Sequence, residues 1–338
     1  MQLHAYFEDT PEAWTQVYNC LHCQLQEVVY TDISERDNTT APRCDIYVSG
    51  APCPAFSAAG KGGGLSDARG CVLIHSVAYV LAQRPRVAVF ENVKGLINAK
   101  NRPVLDAVVE ILKLAGYTCR AKVLDNSTHG ALPHNRPRIY LVAILKSRLQ
   151  KKFEFPEELP CPPLRRFLFT QGQQHTHLSA FTEKSVEGSW EIARKKFDKA
   201  EYAKGKGILI CDGQASQKFL SVMLDKSPCL TKARAGSHGH YIMSLDRWMN
   251  LTEIAGLQGW PKAVVDELSQ CFTRSEIGST FGDGFCLSIV MRLLPRALMS
   301  AGLIDDFLDR WEHVPNRGRM PDAVYHDQTT HERLAVWK

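Results

Sequence analysis

The sequence has no apolar run long enough to cross a bilayer, no internal repeat of fixed period and no low-complexity block. Its first residues, MQLHAYFEDT, contain neither a basic leader nor the apolar core of a secretion signal. These absences argue against a membrane-spanning protein, a repeat array and a secreted protein. We therefore expect an intracellular protein with no membrane partner.

The sequence also lacks the cysteine pattern of a structural metal site. Its eleven cysteines are scattered irregularly, which in a chain without a secretory leader predicts reduced thiols. Cys20 and Cys23 form a close pair, but no second pair follows at the spacing of a four-ligand zinc site. We expect no bound metal.

Net charge alone indicates little about partners, because the formal value is only +5. Basic residues recur in the middle third of the chain, as a nucleic-acid-binding surface requires. They are Lys146, Arg148, Lys151, Lys152, Arg165, Arg166, Arg194, Lys195 and Lys196. An ordinary solvated surface explains the same pattern, so both interpretations stay open.

Strand-like and helix-like segments alternate in the first half of the chain. Such alternation predicts an α/β fold in which a parallel sheet is covered by helices on both faces. The segments are strands at 45–50, 86–93, 118–124 and 138–145, and helices at 71–83 and 103–114. A further helix, interrupted or kinked at Pro295, is predicted at 285–301.

Two reactive side chains directly follow predicted strands. Cys53 lies between two prolines, which block regular structure on both sides and make it a poor structural cysteine. Glu91 follows the apolar residues VAVF, where partial burial raises the pKa of a carboxyl group and lets it donate a proton near neutral pH. A thiol beside a proton donor suits addition to an electron-poor ring such as cytosine, which must first be flipped out of a duplex.

Five ordered segments resemble motifs of the cytosine-5 DNA methyltransferase family. They follow the family's order with similar separations and cover most of residues 28–300. The segments are GAPCPAFS (50–57), SDARG (66–70), FENV (90–93), LPHNRPRIYLVAI (132–144) and RWMNLTEIAGLQGWP (247–261). Five matches in order make a chance or purely structural origin improbable.

The resemblance implies roles for the matching catalytic residues. Cys53 resembles the covalent nucleophile that attacks carbon 6, and Glu91 resembles the acid that protonates ring nitrogen 3, so that carbon 5 can attack a methyl donor. Arg136 and Arg138 resemble the arginines that hold the flipped base and a nearby phosphate. Asn92 resembles a structural residue that ties two strand-end loops together.

The resemblance also implies S-adenosyl-L-methionine as the methyl donor. Asp32 and Ile33 match the family's Asp-Ile pair, in which the carboxylate accepts from the adenine amino group and the isoleucine packs on the ring. Glu8 and Asp9 resemble the acidic end of the family's second strand, and one of them is expected to accept from the ribose hydroxyls. Pro52, beside the predicted nucleophile, is included among these cofactor-binding residues.

At the level of architecture, the resemblance implies a Rossmann-like S-adenosylmethionine-dependent methyltransferase fold, truncated at its N-terminus, with a smaller target-recognition domain. We expect a catalytic domain at 1–148 and 247–301, a target-recognition region at 149–246 and a C-terminal tail at 302–338. DNA is the expected partner, and the nucleus is the expected location in a eukaryote.

The sequence departs from the family at three places. The N-terminal Phe-x-Gly-x-Gly-Gly turn is absent, the glutamine before the two arginines is His134, and the late Gly-Asn-Ser/Ala-Val is the stretch GDGF at 282–285. One interpretation is a DNA methyltransferase that lacks its N-terminal segment. A second is a catalytically impaired regulatory or nucleic-acid-binding protein that acts with a partner methyltransferase. A third, suggested by SPCLTK (227–232), is a tRNA cytosine-5 methyltransferase.

Overall fold

The computed structural model describes residues 32–52, 68–168, 179–203, 206–309 and 311–312, which form two compact units. The first unit contains the described residues up to Leu124, together with Pro137–Glu157 and Met291–Leu308. The second unit contains Asp125–Arg136, Glu158–Val290 and the described residues from Asp309 onward.

The first unit is built on a four-stranded mixed sheet. Its strands are β1 (Ile46–Ser49), β2 (Val87–Val93), β3 (Tyr117–Leu124) and β4 (Arg138–Leu145), in the order β1-β2-β4-β3. β1 and β2 are parallel, whereas β4 is antiparallel to both of its neighbours. The prediction of a wholly parallel sheet is therefore wrong for β4. The connection from β3 to β4 contains a helix of only four residues, not the long crossover helix that usually joins parallel strands.

Two helices, α1 (Ala68–Gln83) and α2 (Arg102–Leu114), pack on one face of this sheet. Buried residues recur every three or four positions, as Leu105, Val108 and Leu112 do in α2, so the helix has one apolar side. These side chains join Tyr47 and Phe90 in the main hydrophobic cluster of the first unit. The predicted helices and strands of this region are thus confirmed to within three residues at each end.

The second unit contains a smaller antiparallel sheet. Its short strands are β5 (Leu209–Cys211), β6 (Val222–Leu224), β7 (Tyr241–Ile242) and β8 (Arg247–Trp248), in the order β6-β5-β7-β8. Its helices are α3 (Asn126–His129), α4 (Ala180–Lys196), α5 (Lys232–Ser237), α6 (Leu251–Gly256), α7 (Lys262–Leu268) and α8 (Arg274–Asp283). Ala193 of α4 packs with Leu209, Tyr241 and Trp248 in one cluster, so α4 covers this sheet.

Helices α5 and α8 approach each other closely because glycine lies at their contact. A Cβ atom added to Gly278 would lie 2.1 Å from the carbonyl oxygen of Ala235. A Cβ atom added to Gly282 would lie 2.5 Å from the carbonyl oxygen of Thr231. Only a residue without a side chain permits this approach. Helix packing therefore explains why position 282 of the GDGF segment is a glycine.

The last helix, α9 (Leu287–Ser300), begins in the second unit and continues into the first. It contains Pro295, as the sequence predicts, and proline lacks the N–H that a helical hydrogen bond to the carbonyl of Met291 would need. Beyond the helix, Nη2 of Arg86 donates to the carbonyl oxygens of Ala301 and Gly302 at 2.7 and 3.0 Å. In the described ranges no single helix is long and apolar enough to span a bilayer; only α8 and α9 together, across a 44° bend, have that length and composition.

Candidate active site

Glu91 and Arg138, two of the predicted catalytic residues, meet at one end of the two central strands of the first unit's sheet. Nε of Arg138 lies 3.1 Å from Oε1 of Glu91, and the two side chains are only 12% and 13% exposed. Val93 pairs with Arg138 and Glu91 pairs with Tyr140, so the two charged residues are diagonal cross-strand neighbours. The antiparallel direction of β4 brings its first residue beside the last residues of β2. The strand direction that the sequence did not predict is therefore what assembles this pair.

Asn92 connects the ends of β1 and β2. Its Nδ2 donates to the carbonyl oxygen of Ala51 at 3.1 Å, and its Oδ1 accepts from the N–H of Val93 at 2.9 Å. Ala51 lies just beyond β1 and immediately precedes Pro52, a half-buried residue. The prediction that Asn92 ties two strand-end loops together is confirmed. Cys53 itself lies outside the described residues, but the backbone leading to it is fixed beside Glu91's strand.

Arg136 belongs to the second unit, where three backbone carbonyl groups surround its buried guanidinium. Nη1 donates to Leu230 and Gly282 at 2.6 and 2.9 Å, and Nη2 donates to Gly284 at 3.0 Å. The planar fork of donors matches this arrangement of acceptors. In these contacts Arg136 joins the SPCLTK segment to the GDGF segment. Arg138, only two residues later, makes its ion pair in the first unit instead.

His134, which replaces the family's glutamine, is completely buried in the second unit. Its Nε2 accepts from the N–H of Leu230 at 3.0 Å, so Nδ1 carries the ring proton of the neutral form. Nδ1 lies 3.0 Å from the carbonyl oxygen of Leu257, to which it donates. The ring thus makes one hydrogen bond as donor and one as acceptor, which a glutamine amide also does.

Asn126 and Gln258 extend this polar network, and sequence analysis did not identify either one. Nδ2 of Asn126 lies 3.1 Å from Nδ1 of His134 and donates to Oε1 of Gln258 at 3.2 Å. Nε2 of Gln258 then donates to the carbonyl oxygen of Phe281 at 2.8 Å. Gln258 is part of the LQGWP segment that resembles the family, which was the available signal. No local pattern marked Asn126.

The motif that begins at Arg247 is held by a buried ion pair. Arg247 and Glu253 make two hydrogen bonds, at 2.7 and 2.9 Å, and both side chains are almost completely buried. The same carboxylate accepts from the N–H of Asn250, whose side chain accepts from the N–H of Glu253 and so closes a capping box on α6. The arginine and glutamate of this motif therefore have a structural role in the second unit.

Asp32 and Ile33, the predicted cofactor residues that can be described, differ in exposure. The carboxylate of Asp32 is exposed, and its Oδ1 accepts from the N–H and the hydroxyl of Ser34 at 2.7 and 2.6 Å. The side-chain and backbone hydrogen bonds from Ser34 lower the pKa of Asp32, so it is an ionised acceptor at neutral pH. Ile33 is 6% exposed and offers little surface. Glu8 and Asp9, the other predicted acceptors, lie outside the described residues.

Asp283 stands where the family has asparagine. Its carboxylate is exposed and lies 3.8 Å from Nζ of Lys232 in the SPCLTK segment. The backbone on both sides of Asp283 is fixed, because the carbonyl groups of Gly282 and Gly284 accept from Arg136. Among the residues that the structure describes, no three histidine, cysteine or acidic side chains converge as metal ligands.

Comparisons with known proteins agree with this arrangement. The family described as C-5 cytosine-specific DNA methylase matches residues 4–281. The type II methyltransferase M.NlaIV of Neisseria lactamica is 36% identical over 149 residues, which are 42% of this chain and 34% of that protein. The matched part of the chain thus spans about a third of that relative.

Two solved structures resemble this one over most of both chains. The methyltransferase EhMeth of Entamoeba histolytica gives a TM-score of 0.55 at 13% identity, covering 85% of this chain and 86% of that one. The Dnmt2 methyltransferase of S. pombe gives a TM-score of 0.51 at 16% identity, covering 86% and 88%. At these identities the likeness concerns the fold, and the predicted Rossmann-like α/β methyltransferase fold is confirmed.

Proposed function

The chain belongs to the C-5 cytosine-specific DNA methylase family, and from this premise we propose that it transfers a methyl group to carbon 5 of cytosine in DNA. The observation that carries the proposal is the largely buried ion pair of Glu91 and Arg138, 3.1 Å apart, at the strand ends beside the backbone that leads to Cys53. A carboxyl group held by a guanidinium at the end of one strand is oriented for proton transfer to a ring nitrogen.

In the proposed mechanism the thiolate of Cys53 attacks carbon 6 of a flipped cytosine, forming a carbon–sulfur bond. Glu91 donates a proton to ring nitrogen 3, which makes carbon 5 nucleophilic. Carbon 5 acquires the methyl group and then loses its proton to a base, while the carbon–sulfur bond breaks, ring nitrogen 3 returns its proton to Glu91 and the ring regains its double bond. Arg138 holds the carboxyl group of Glu91 and is proposed to contact the flipped base. Arg136 fixes the backbone of the second unit through its three carbonyl contacts.

The methyl donor that the family implies is S-adenosyl-L-methionine, which supplies an electrophilic methyl group. The exposed, ionised carboxylate of Asp32 fits the amino group of such a ligand, since both hydrogen bonds from Ser34 engage the same oxygen, Oδ1. Glu8 or Asp9 is proposed to accept from the ribose hydroxyls and Ile33 to pack on the adenine ring, and Pro52 is proposed as a further cofactor-binding residue. The proposed domain boundaries stay at 1–148 and 247–301 for catalysis and 149–246 for target recognition. The proposed location is intracellular, and nuclear in a eukaryote.

The proposal is tested by covalent trapping on a duplex that contains 5-fluorocytosine, whose fluorine cannot leave as a proton does. With methyl donor present, the full chain should form an adduct that survives a denaturing gel. Cys53→Ala should abolish the adduct while leaving DNA binding near normal. Glu91→Gln should slow adduct formation about 100-fold or more, because a positioned general acid contributes about 10²–10⁴-fold.

The matched control is Glu110→Gln, which removes an exposed carboxylate from α2 and should leave the rate unchanged. Circular dichroism checks that each variant melts like the parent chain. The same assay on tRNA containing 5-fluorocytosine tests the RNA alternative directly. An adduct that persists in Cys53→Ala would remove that residue from its role, and a folded parent chain that forms no adduct would contradict the catalytic proposal.

A further inference from the structure

The outer edge of β3 has no partner strand within the described residues, because β3 ends the strand order of the first unit's sheet. The strand is eight residues long, whereas proteins usually keep an unpaired edge strand short. Ala121, near its centre, is exposed, and Cys119 and Val123 on either side of it are half-buried. This edge is therefore accessible to a second extended chain.

Two backbone hydrogen bonds decide which groups of β3 point outward. The N–H of Lys146 donates to the carbonyl oxygen of Gly116 at 2.9 Å, immediately outside the paired residues of β3 and β4. Because bonded pairs alternate along an antiparallel ladder, the even-numbered residues of β3 bond to β4. The N–H of Leu145 donates to the carbonyl oxygen of Arg86 at 3.0 Å, which gives the same alternation, since it directs the odd-numbered residues of β4 to β2.

The N–H and C=O groups of the odd-numbered residues Cys119, Ala121 and Val123 therefore point away from the sheet. No backbone hydrogen bond between described residues uses any of these groups. A partner chain in extended conformation would pair with all of them through a ladder of backbone hydrogen bonds, as added strands do at other sheet edges.

The side chains beside this edge are basic. Arg120 and Lys122 alternate with the outward-pointing residues, so they lie on the sheet face opposite the hydrophobic cluster that Cys119 contacts. Burial raises the pKa of the Cys119 thiol to about 11, and the nearby charges of Lys113 and Lys146 oppose this effect. None of the three lysines makes an ion pair within the described ranges.

These charges favour an acidic partner over a second copy of this chain. Two β3 edges that paired about Ala121 would place Arg120 of each copy opposite Lys122 of the other, and like charges directly opposite each other are destabilising. Glu154, a carboxylate on which the charge of Arg120 acts, is already paired with Lys152 at 3.0 Å. The edge thus keeps an excess of positive charge that acidic side chains at alternate positions of a partner strand would neutralise.

We propose that the outer edge of β3 binds an extended acidic segment of a partner protein, which adds a strand to the sheet. The backbone of the segment pairs with the outward groups of Cys119, Ala121 and Val123. Its acidic side chains face Arg120 and Lys122, and the apolar side chains that alternate with them project to the opposite face. The added strand lies on the side of β3 away from β2 and β4, which hold the candidate active site. This binding does not depend on methyl transfer.

The test measures binding of a fluorescein-labelled peptide, Ser-Val-Glu-Val-Glu-Val-Ser, to the folded full chain by fluorescence anisotropy. We expect saturable binding of about one peptide per chain. Ala121→Pro should weaken binding at least about tenfold, because proline removes an outward N–H while the bonds from β3 to β4 remain. Lys122→Glu should weaken it about fivefold, since an attraction is replaced by a repulsion. Lys195→Glu, the same charge change on an exposed lysine of α4, should leave the affinity unchanged.

Two further peptides separate backbone pairing from charge. The same peptide with N-methyl groups on its three valines keeps both carboxylates but loses the N–H donors that face β3, so it should bind at least about tenfold more weakly. The peptide with lysine in place of both glutamates should bind at least about fivefold more weakly. Both comparisons use the parent chain, so they hold even where a variant fails to fold.

Each variant is first shown to melt at the temperature of the parent chain. Equal affinity of the methylated and unmethylated peptides would overturn the proposal, as would a folded parent chain with no saturable binding. A parent chain that sediments as a dimer, and that Ala121→Pro makes monomeric, would assign the edge to a second copy and also overturn it. Because the readout is binding alone, its failure is distinct from failure of the adduct assay.

Discussion

At the residue scale, His134 makes one hydrogen bond as donor and one as acceptor, as the glutamine that it replaces could do. We expect His134→Gln to change the free energy of unfolding by less than about 1 kcal/mol, because the amide retains one donor and one acceptor. His134→Leu should cost about 2–6 kcal/mol, since the buried N–H of Leu230 and carbonyl of Leu257 each lose a partner at about 1–3 kcal/mol. Urea unfolding of the two variants measures the difference. Equal stability of both variants would contradict this account.

The sequence identified His134 as a departure but not its partners. Leu230 and Leu257 lie 96 and 123 positions away along the chain, and a single sequence contains no record of such contacts. Glu91 and Arg138 were predicted as site residues because both belong to motifs that resemble the family. Their direct contact was not predicted, because it depends on the direction of β4. The sequence thus predicts which residues belong to the site where the chemistry requires particular residue types. It does not predict which of their side chains contact each other.

At the scale of elements, the crossing of α5 and α8 depends on Gly278. We expect Gly278→Ala to destabilise the protein by about 1–3 kcal/mol or more, because its Cβ would lie 2.1 Å from the carbonyl oxygen of Ala235 and the helices would have to separate. Gly256→Ala is the matched control in α6, where the nearest atom to the new Cβ is Cδ1 of Phe167 at 3.8 Å. That variant should be as stable as the parent or up to about 1 kcal/mol more stable. Thermal melts of both variants test this, and an undisturbed Gly278→Ala would refute the close approach.

Strand bounds were easier to predict than strand direction. The apolar run at 138–145 predicted β4 with the bounds that the structure has, because a strand buried on both faces is continuously apolar. Apolar patterning is the same whichever way a strand runs, so it did not distinguish parallel from antiparallel pairing. The short connection between β3 and β4 was the feature that indicated antiparallel pairing. Its four-residue helix is too small for a usual parallel crossover.

At the scale of the whole molecule, neither compact unit is continuous in sequence. The fading periodicity after Gln150 predicted a separate region, but the second unit also contains Asp125–Arg136. That segment joins it because His134 pairs with Ser227 in an isolated bridge and bonds to Leu230. Long-range backbone pairing of this kind has no local sequence signal. The described tryptophans, Trp190, Trp248, Trp260 and Trp311, all fall in the second unit.

That unit also contains a buried titratable group, His240, whose protonation should couple its stability to pH. Burial lowers the pKa of His240 from 6.5 to about 4, against the opposing effects of the nearby Asp212 charge and of hydrogen bonding with the backbone of Cys229 and Pro228. His240 therefore takes up a proton below pH 6.5 in the unfolded chain, but only below about pH 4 in the folded chain. Stability should be fully present above pH 6.5 and fall across that window, with a slope of up to about 1.4 kcal/mol per pH unit.

Urea unfolding at several pH values from 7 to 4, followed by tryptophan emission, measures this slope. His240→Gln should flatten it, because the variant has no proton to take up at that position. His75→Gln, which removes a half-buried histidine from α1 in the first unit, should leave it as steep as in the parent chain. A slope that is the same in His240→Gln as in the parent would assign the acid sensitivity to other groups. A flattened slope would show that the second unit carries its own pH dependence, independent of the carboxylate at Glu91.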